Sequence, residues 1–135
     1  MKNASRVGML LAVLASLPCA AAGGIYGSAY ALFEPERRSA VQDTRPAFVL
    51  KIDGKTVSID RSDPVPPGAH TVELSIPGSP GMGQSSRDTL TIEAKACTRY
   101  YFAARRSSPT ARDWKAFVAT SEPIRECLKR FPEAK

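Results

Sequence analysis

Three sets of residues in this 135-residue chain have types and spacings that chemistry could use. His70 is the single histidine, with Asp53, Asp60 and Asp63 upstream of it. Cys97 and Cys127 form a widely spaced thiol pair. Arg99, Arg105, Arg106, Arg112 and Lys115 are interleaved with Tyr100, Tyr101 and Trp114. A Ser-His-Asp arrangement would need His70 as its base. His70 follows Pro67-Gly68 at the start of a strand, where an imidazole ordinarily hydrogen-bonds the neighbouring turn, so no catalytic residue is assigned and the protein is read as not an enzyme. The aspartates lack the calcium-loop spacing and its terminal bidentate Glu. A zinc site would need two more ligands beside the cysteines, and His70 alone cannot supply them. Gly78, Gly81 and Gly83 are not followed by the helix that phosphate cradling requires. No cofactor and no metal are expected.

The arginines carry the one positive lead. Strand periodicity puts Arg99, Tyr101 and Arg105 on one side of a strand and Tyr100 and Phe102 on the other. Arg106 and Arg112 extend this basic face through the following loop. Guanidinium groups bind carboxylate and phosphate bidentately and stay charged, with Tyr101 as a flat apolar contact between them. The expected partner is an anionic envelope polymer (a glycan or lipid headgroups) or an acidic protein, bound weakly and in a salt-sensitive way. Basic and aromatic interleaving also suits single-stranded nucleic acid, but an export signal argues against that ligand. The plainer alternative is a solvated strand face neutralised by Glu93 and Asp113.

That export signal occupies residues 1–22. Lys2 and Arg6 precede an apolar run from Val7 to Leu17, Pro18 breaks it, and Ala20-Ala21-Ala22 supplies small residues before a cut at Gly23. Lipidation at Cys19 fits less well, because bulky Pro18 stands at −1. Retention as an anchor is a third option, since no charged residue occurs from Val7 to Phe33. Membrane contact is expected only if the segment is retained or Cys19 is lipidated. The expected location is periplasmic or secreted, in a bacterium. Removing Lys2 and Arg6 lowers the formal charge from +6 to +4, a mildly basic domain. In an oxidising compartment the two remaining cysteines favour a Cys97–Cys127 disulfide.

The elements that must position these groups follow from periodicity. Residues 23–45 show no sustained period and read as a flexible leader. From 46 to 135 short apolar runs are divided by Gly and Pro. Phe48, Leu50 and Ile52 alternate with Val49, Lys51 and Asp53; Asp53-Gly54 predicts a type I′ hairpin turn, and Thr56 to Asp60 returns as a second strand. Val72, Leu74 and Ile76 define the clearest strand, and Pro77 to Asp88 reads as a long loop. Leu90, Ile92 and Ala94 form another strand. A tight turn near Lys95 to Cys97 returns the chain as Thr98 to Arg105, and Trp114 to Ala119 is the last strand, of unassigned inward face. In the tail, Ile124, Leu128 and Phe131 have helical spacing with Ser121 as a potential cap; either a short C-terminal helix or an extended segment satisfies this pattern. The fold class is all-β: a small antiparallel β-sandwich of about six or seven strands.

Ile52-Asp53-Gly54-Lys55, Pro67-Gly68-Ala69-His70-Thr71-Val72 and the pair Tyr100-Tyr101 resemble a PEGA-type module, a small β-sandwich of bacterial envelope and surface proteins, and also short exported bacterial proteins of unknown function. The resemblance covers Phe48 to Arg105; the cysteine-bearing extension from Trp114 departs from it. It implies a noncatalytic envelope module, structural or binding, and brings no catalytic residues. The alternative is a small secreted hydrolase or inhibitor acting through the 77–88 loop.

Overall fold

The computed structural model describes residues 26–37, 43–58, 61–78, 85–108, 110–111 and 113–134. The expected signal segment with Cys19, as well as Ile59, Asp60 and Arg112, lies outside the described residues.

The described chain forms two β-sheets and one short helix. One sheet comprises β3 (Phe48–Ile52), β4 (Lys55–Thr56), β5 (Gly68–Ile76) and β6 (Ser86–Ala94), in the order β4-β3-β5-β6, all antiparallel. The other is built on β7 (Thr98–Arg106), with β8 (Trp114–Pro123) along one edge. Along β7's other edge β1 (Ala31–Pro35) and β2 (Thr44–Pro46) lie in succession. The all-β reading holds, with two differences. Eight strands are present among the described residues, two of them very short, and β1 runs parallel to β7 where an antiparallel fold was expected.

Local rules account for this sheet. Asp53 and Gly54 both adopt positive φ, 51° and 78°, as a type I′ turn demands. The returning strand is short, however: β4 ends at Thr56 instead of continuing to Asp60. In β5 Val72, Leu74 and Ile76 are fully buried while Thr71 is exposed, so alternate residues face the core. Each such side chain contributes about 1.5–3 kcal/mol of apolar burial. The loop after β5 is shorter than expected, because Ser86–Asp88 already belong to β6. The turn at Lys95–Cys97 is present, but it carries the chain from one sheet to the other; β6 and β7 are not paired, so no hairpin forms there.

The segment read as a flexible leader holds two strands. Ala31, Leu32 and Phe33 are all buried, and Phe33 packs edge-to-face against Tyr100 and Phe102 at 5.9 and 5.4 Å between ring centroids. Ala31 also exchanges backbone hydrogen bonds with Val65, at 2.7 and 2.9 Å. Burial of this order overrides the lack of local period.

Tyr100, Phe102 and Ala104 of β7 face the other sheet, and Trp114, Ala116 and Val118 of β8 pack against the same core. Of the three residues of mixed parity, Trp114 and Val118 face this core and Phe117 faces the outer side, opposite Ala103. Beyond them the register shifts opposite Tyr101/Phe102, pairing Phe102 with Val118 but Tyr101 with Thr120, so an extra residue, Ala119, reverses the faces of β8 from that point on.

A second apolar cluster joins Leu32, Cys97, Ile124 and Cys127, with Leu128 and Phe131 packed against it. The Cys97–Cys127 disulfide is formed, with Cα atoms 5.2 Å apart. It secures α1 (Arg125–Arg130). The helical spacing of Ile124, Leu128 and Phe131 is therefore realised. Ser121 does not cap it, because Ser121 remains in β8 and Ile124 occupies the N-cap without a side-chain bond.

Candidate functional site

The outer face of the β7 sheet is where the arginine hypothesis can be tested against geometry. Arg99, Tyr101, Ala103 and Arg105 alternate along it, and their partners across the β7–β8 ladder are Glu122, Thr120, Phe117 and Lys115. On β1 the same face carries Leu32 and Glu34, since Ala31 and Phe33 join the central core and Leu32 joins the second cluster. One end of this face is covered by the cluster that holds α1. The remainder opens into a cleft of about 620 Å³. Its walls come from β8 through Phe117, Ala119, Thr120 and Glu122, from β7 through Tyr101 and Arg105, and from the β1–β2 edge through Glu34, Glu36, Arg37 and Thr44.

The predicted basic face is divided by its neighbours. Arg99 is the hub of an ionic cluster: its Nε lies 3.3 Å from Glu34 Oε1 and its Nη1 3.3 Å from Glu122 Oε1. The Tyr101 hydroxyl donates to the same Glu122 oxygen at 2.7 Å. The guanidinium pKa is raised, first by Tyr101 beside it and then by Glu34 and Glu122, against the effect of burial. Burial and the bond to Glu122 raise that of Tyr101, with Arg99 opposing them. Arg99 is thus neutralised by Glu34 and Glu122, not by the expected Glu93 and Asp113.

Arg105 differs. It is exposed, its guanidinium carbon sits 5.0 Å from the centroid of Phe117, and among the described residues it has no carboxylate partner. Arg37, on the opposite wall, likewise makes no ion pair among the described residues. Arg106 does not extend this face. It belongs to β7, has the opposite parity, forms an ion pair with Asp43, and lies 5.1 Å from the centroid of Trp114. Arg45 also lies over Trp114, at 4.8 Å. Of the five predicted face residues, Tyr101 and Arg105 line the cleft, Arg99 lies beside it bound to the lining residues Glu34 and Glu122, Arg106 points elsewhere and Arg112 is outside the described residues.

Glu34, Glu36, Arg37 and Thr44 were missed because they fall in the presumed leader. Their signal was the alternation of Ala31 and Phe33 with Leu32 and Glu34.

His70 occupies a closed polar corner on the other sheet. Nδ1 is 2.7 Å from Asp53 Oδ2, and Nε2 is 2.7 Å from the Pro66 carbonyl oxygen. Asp53 Oδ1 accepts the Thr71 N–H at 2.9 Å. A carbonyl can only accept, so Nε2 must carry a proton; a carboxylate at Nδ1 favours a second one. Burial of the ring works against the charge, but the bonds to Asp53 and Pro66 outweigh it and raise the His70 pKa above 6.5. The Asp53 carboxyl is lowered by its bonds to His70 and Thr71. His70 therefore ties the Asp53-Gly54 turn to β5 and does not line the cleft.

Among the described residues no group of three or more His, Cys, Asp or Glu side chains could hold a metal ion, and no helix is long and apolar enough to cross a membrane. Comparison of the chain with protein-family models, with curated proteins and with solved structures returned no match.

Proposed function

We propose that this protein is a noncatalytic, exported bacterial envelope module that binds an anionic group in the cleft on the outer face of the β7 sheet. The observation that carries the binding role is Arg105: a guanidinium without a carboxylate partner among the described residues, held over Phe117 at the wall of an open cleft. Such a group is preorganised for bidentate contact with carboxylate or phosphate. Support for export comes from the charge, apolar run and Ala-x-Ala order of residues 1–22 and from the Cys97–Cys127 disulfide. The PEGA-like order of turns and strands is consistent with a module of this type.

The hydrolase or inhibitor alternative receives no comparable support. Its loop is reduced by β6, residues 79–84 lie outside the described residues, and both ring nitrogens of His70 are committed to local partners.

The test is expression of the full chain with its own N-terminal segment, followed by fractionation and co-sedimentation with isolated envelope at low salt. The chain is expected outside the cytoplasm, with sedimentation that falls as salt screens the interaction and is lost in Arg105→Ala. Recovery from the cytoplasm alone would overturn export. Co-sedimentation unaffected by Arg105→Ala would overturn the binding role.

A further inference from the structure

The cleft is not uniformly basic, and its composition restricts the ligand further. One end offers Arg105 over the Phe117 ring, with Glu36 and Arg37 on the facing wall. The other end offers Tyr101, Thr120 and the carboxylates of Glu34 and Glu122. Each carboxylate has about four lone-pair positions, so acceptor capacity remains on Glu34 after binding Arg99 and on Glu122 after binding Arg99 and Tyr101. A ligand spanning the cleft therefore meets Arg105 and the Phe117 ring at one end and Tyr101 with an acceptor-rich wall at the other.

Three kinds of anion can be compared on that basis. A small inorganic anion would use Arg105 and leave the acceptor wall idle. An acidic peptide would bring closely spaced carboxylates against Glu34, Glu36 and Glu122, and like charges repel. A saccharide carrying a carboxylate satisfies both ends: its acid group meets Arg105, its hydroxyls donate to Glu34 and Glu122, and its C–H faces lie on the aromatic rings. The cleft volume of about 620 Å³ falls within the range that accepts drug-sized ligands.

Building on the anion-binding reading above, we infer that the cleft binds an acidic saccharide, one in which carboxylates are separated by hydroxyl-bearing rings. Arg105 selects the acid, and Glu34 with Glu122 selects the hydroxyls.

The experiment titrates the exported protein with three probes by calorimetry: a tetrasaccharide alternating glucuronate with N-acetylglucosamine, an uncharged N-acetylglucosamine tetramer, and a tetraglutamate peptide. The glucuronate tetrasaccharide is expected to bind tightest. Arg105→Ala should weaken it by about ten- to a hundredfold, the loss typical of a hydrogen bond to a charged group. Arg105→Lys, which keeps the charge without the fork, should fall between. Glu34→Gln separates the ligand classes, because it weakens a hydroxyl-donating saccharide but strengthens a repelled peptide. Circular dichroism establishes that each variant is folded before titration. Tighter binding of tetraglutamate, or a gain with Glu34→Gln, would overturn the saccharide assignment. If no probe binds while envelope co-sedimentation still depends on Arg105, the saccharide inference fails and the anion site stands. If that dependence is also absent, both fail.

Discussion

The His70 corner and the outer face of the β7 sheet are both built from charged groups on strands, yet they end in opposite states. At the corner, Asp53 and Pro66 accept from the two nitrogens of a buried imidazole, and no ring donor is left over. On the outer face, Glu34 and Glu122 share Arg99, while Arg105, six residues along β7, is paired with an aromatic ring instead of a carboxylate. Structural and functional charge are separated here by their surroundings. A charge whose partners are all nearby and directional fixes the fold; a charge left at an open cleft is available to a ligand.

The same distinction runs along the outer face itself. α1 closes one end through the disulfide and the contacts of Leu32, Ile124 and Cys127, while among the described residues the end bearing Arg105 stays open. The most disruptive way to break the contrast is Cys127→Ala. The bond spans a sequence separation of 30, and the chain-entropy model gives a loss of about 3–4 kcal/mol for a loop of that size. Urea unfolding measures it. A loss below about 1 kcal/mol, small against that chain-entropy estimate, would mean that apolar contacts alone hold the covered end.

Next in size is His70→Ala, which leaves the Pro66 carbonyl without its donor and Asp53 without its partner. Pro66 is exposed, so water replaces the lost donor and the bond itself accounts for about 0.5–1.5 kcal/mol, which the same unfolding curve reports together with the lost packing of the buried ring. The corner also predicts a pH signature. His70 has a folded pKa raised above 6.5, so its stabilisation is complete below that value and is lost as pH rises through the folded pKa. Asp53 is lowered from 3.8, so its contribution is present above 3.8 and is lost as pH falls through its folded pKa. Glu93 reinforces the first shift and Lys55 the second. Thermal melts should show the pair contributing most between these limits, and His70→Ala should flatten the alkaline limb. An unchanged limb would mean that folding does not raise the His70 pKa.

The sequence was most legible where structure is set by near neighbours. The Asp53-Gly54 turn, the alternation of Val72, Leu74 and Ile76, and the helical spacing of Ile124, Leu128 and Phe131 each express a rule that operates within a few residues. β1 was not legible, because its pairing partner β7 lies far along the chain and its Ala-rich approach hides the alternation at Leu32 and Glu34. That one omission concealed much of the site, since Glu34 neutralises Arg99 and the β1–β2 edge forms a wall of the cleft. Arg106 was misplaced for a different reason: β7 extends one residue further than expected, so Arg106 takes strand parity instead of a loop position.

The smallest effect is the most informative about the contrast between fixed and available charge. Arg105→Ala removes a cation–aromatic contact at an exposed site, worth about 0.5–1 kcal/mol. Arg99→Ala removes the shared partner of Glu34 and Glu122 and leaves two carboxylates on one face with Tyr101 between the strands that carry them. Arg99 is only partly exposed, at 32% of its side-chain surface, so solvent screens the pair incompletely. The expected order is therefore a larger stability loss for Arg99→Ala than for Arg105→Ala, read from parallel urea titrations. Binding should follow the reverse logic, with Arg105→Ala losing envelope association while keeping a near-native midpoint. Equal losses of stability from the two substitutions would place Arg105 among the structural charges and remove the reason to treat the open end of the face as a ligand site.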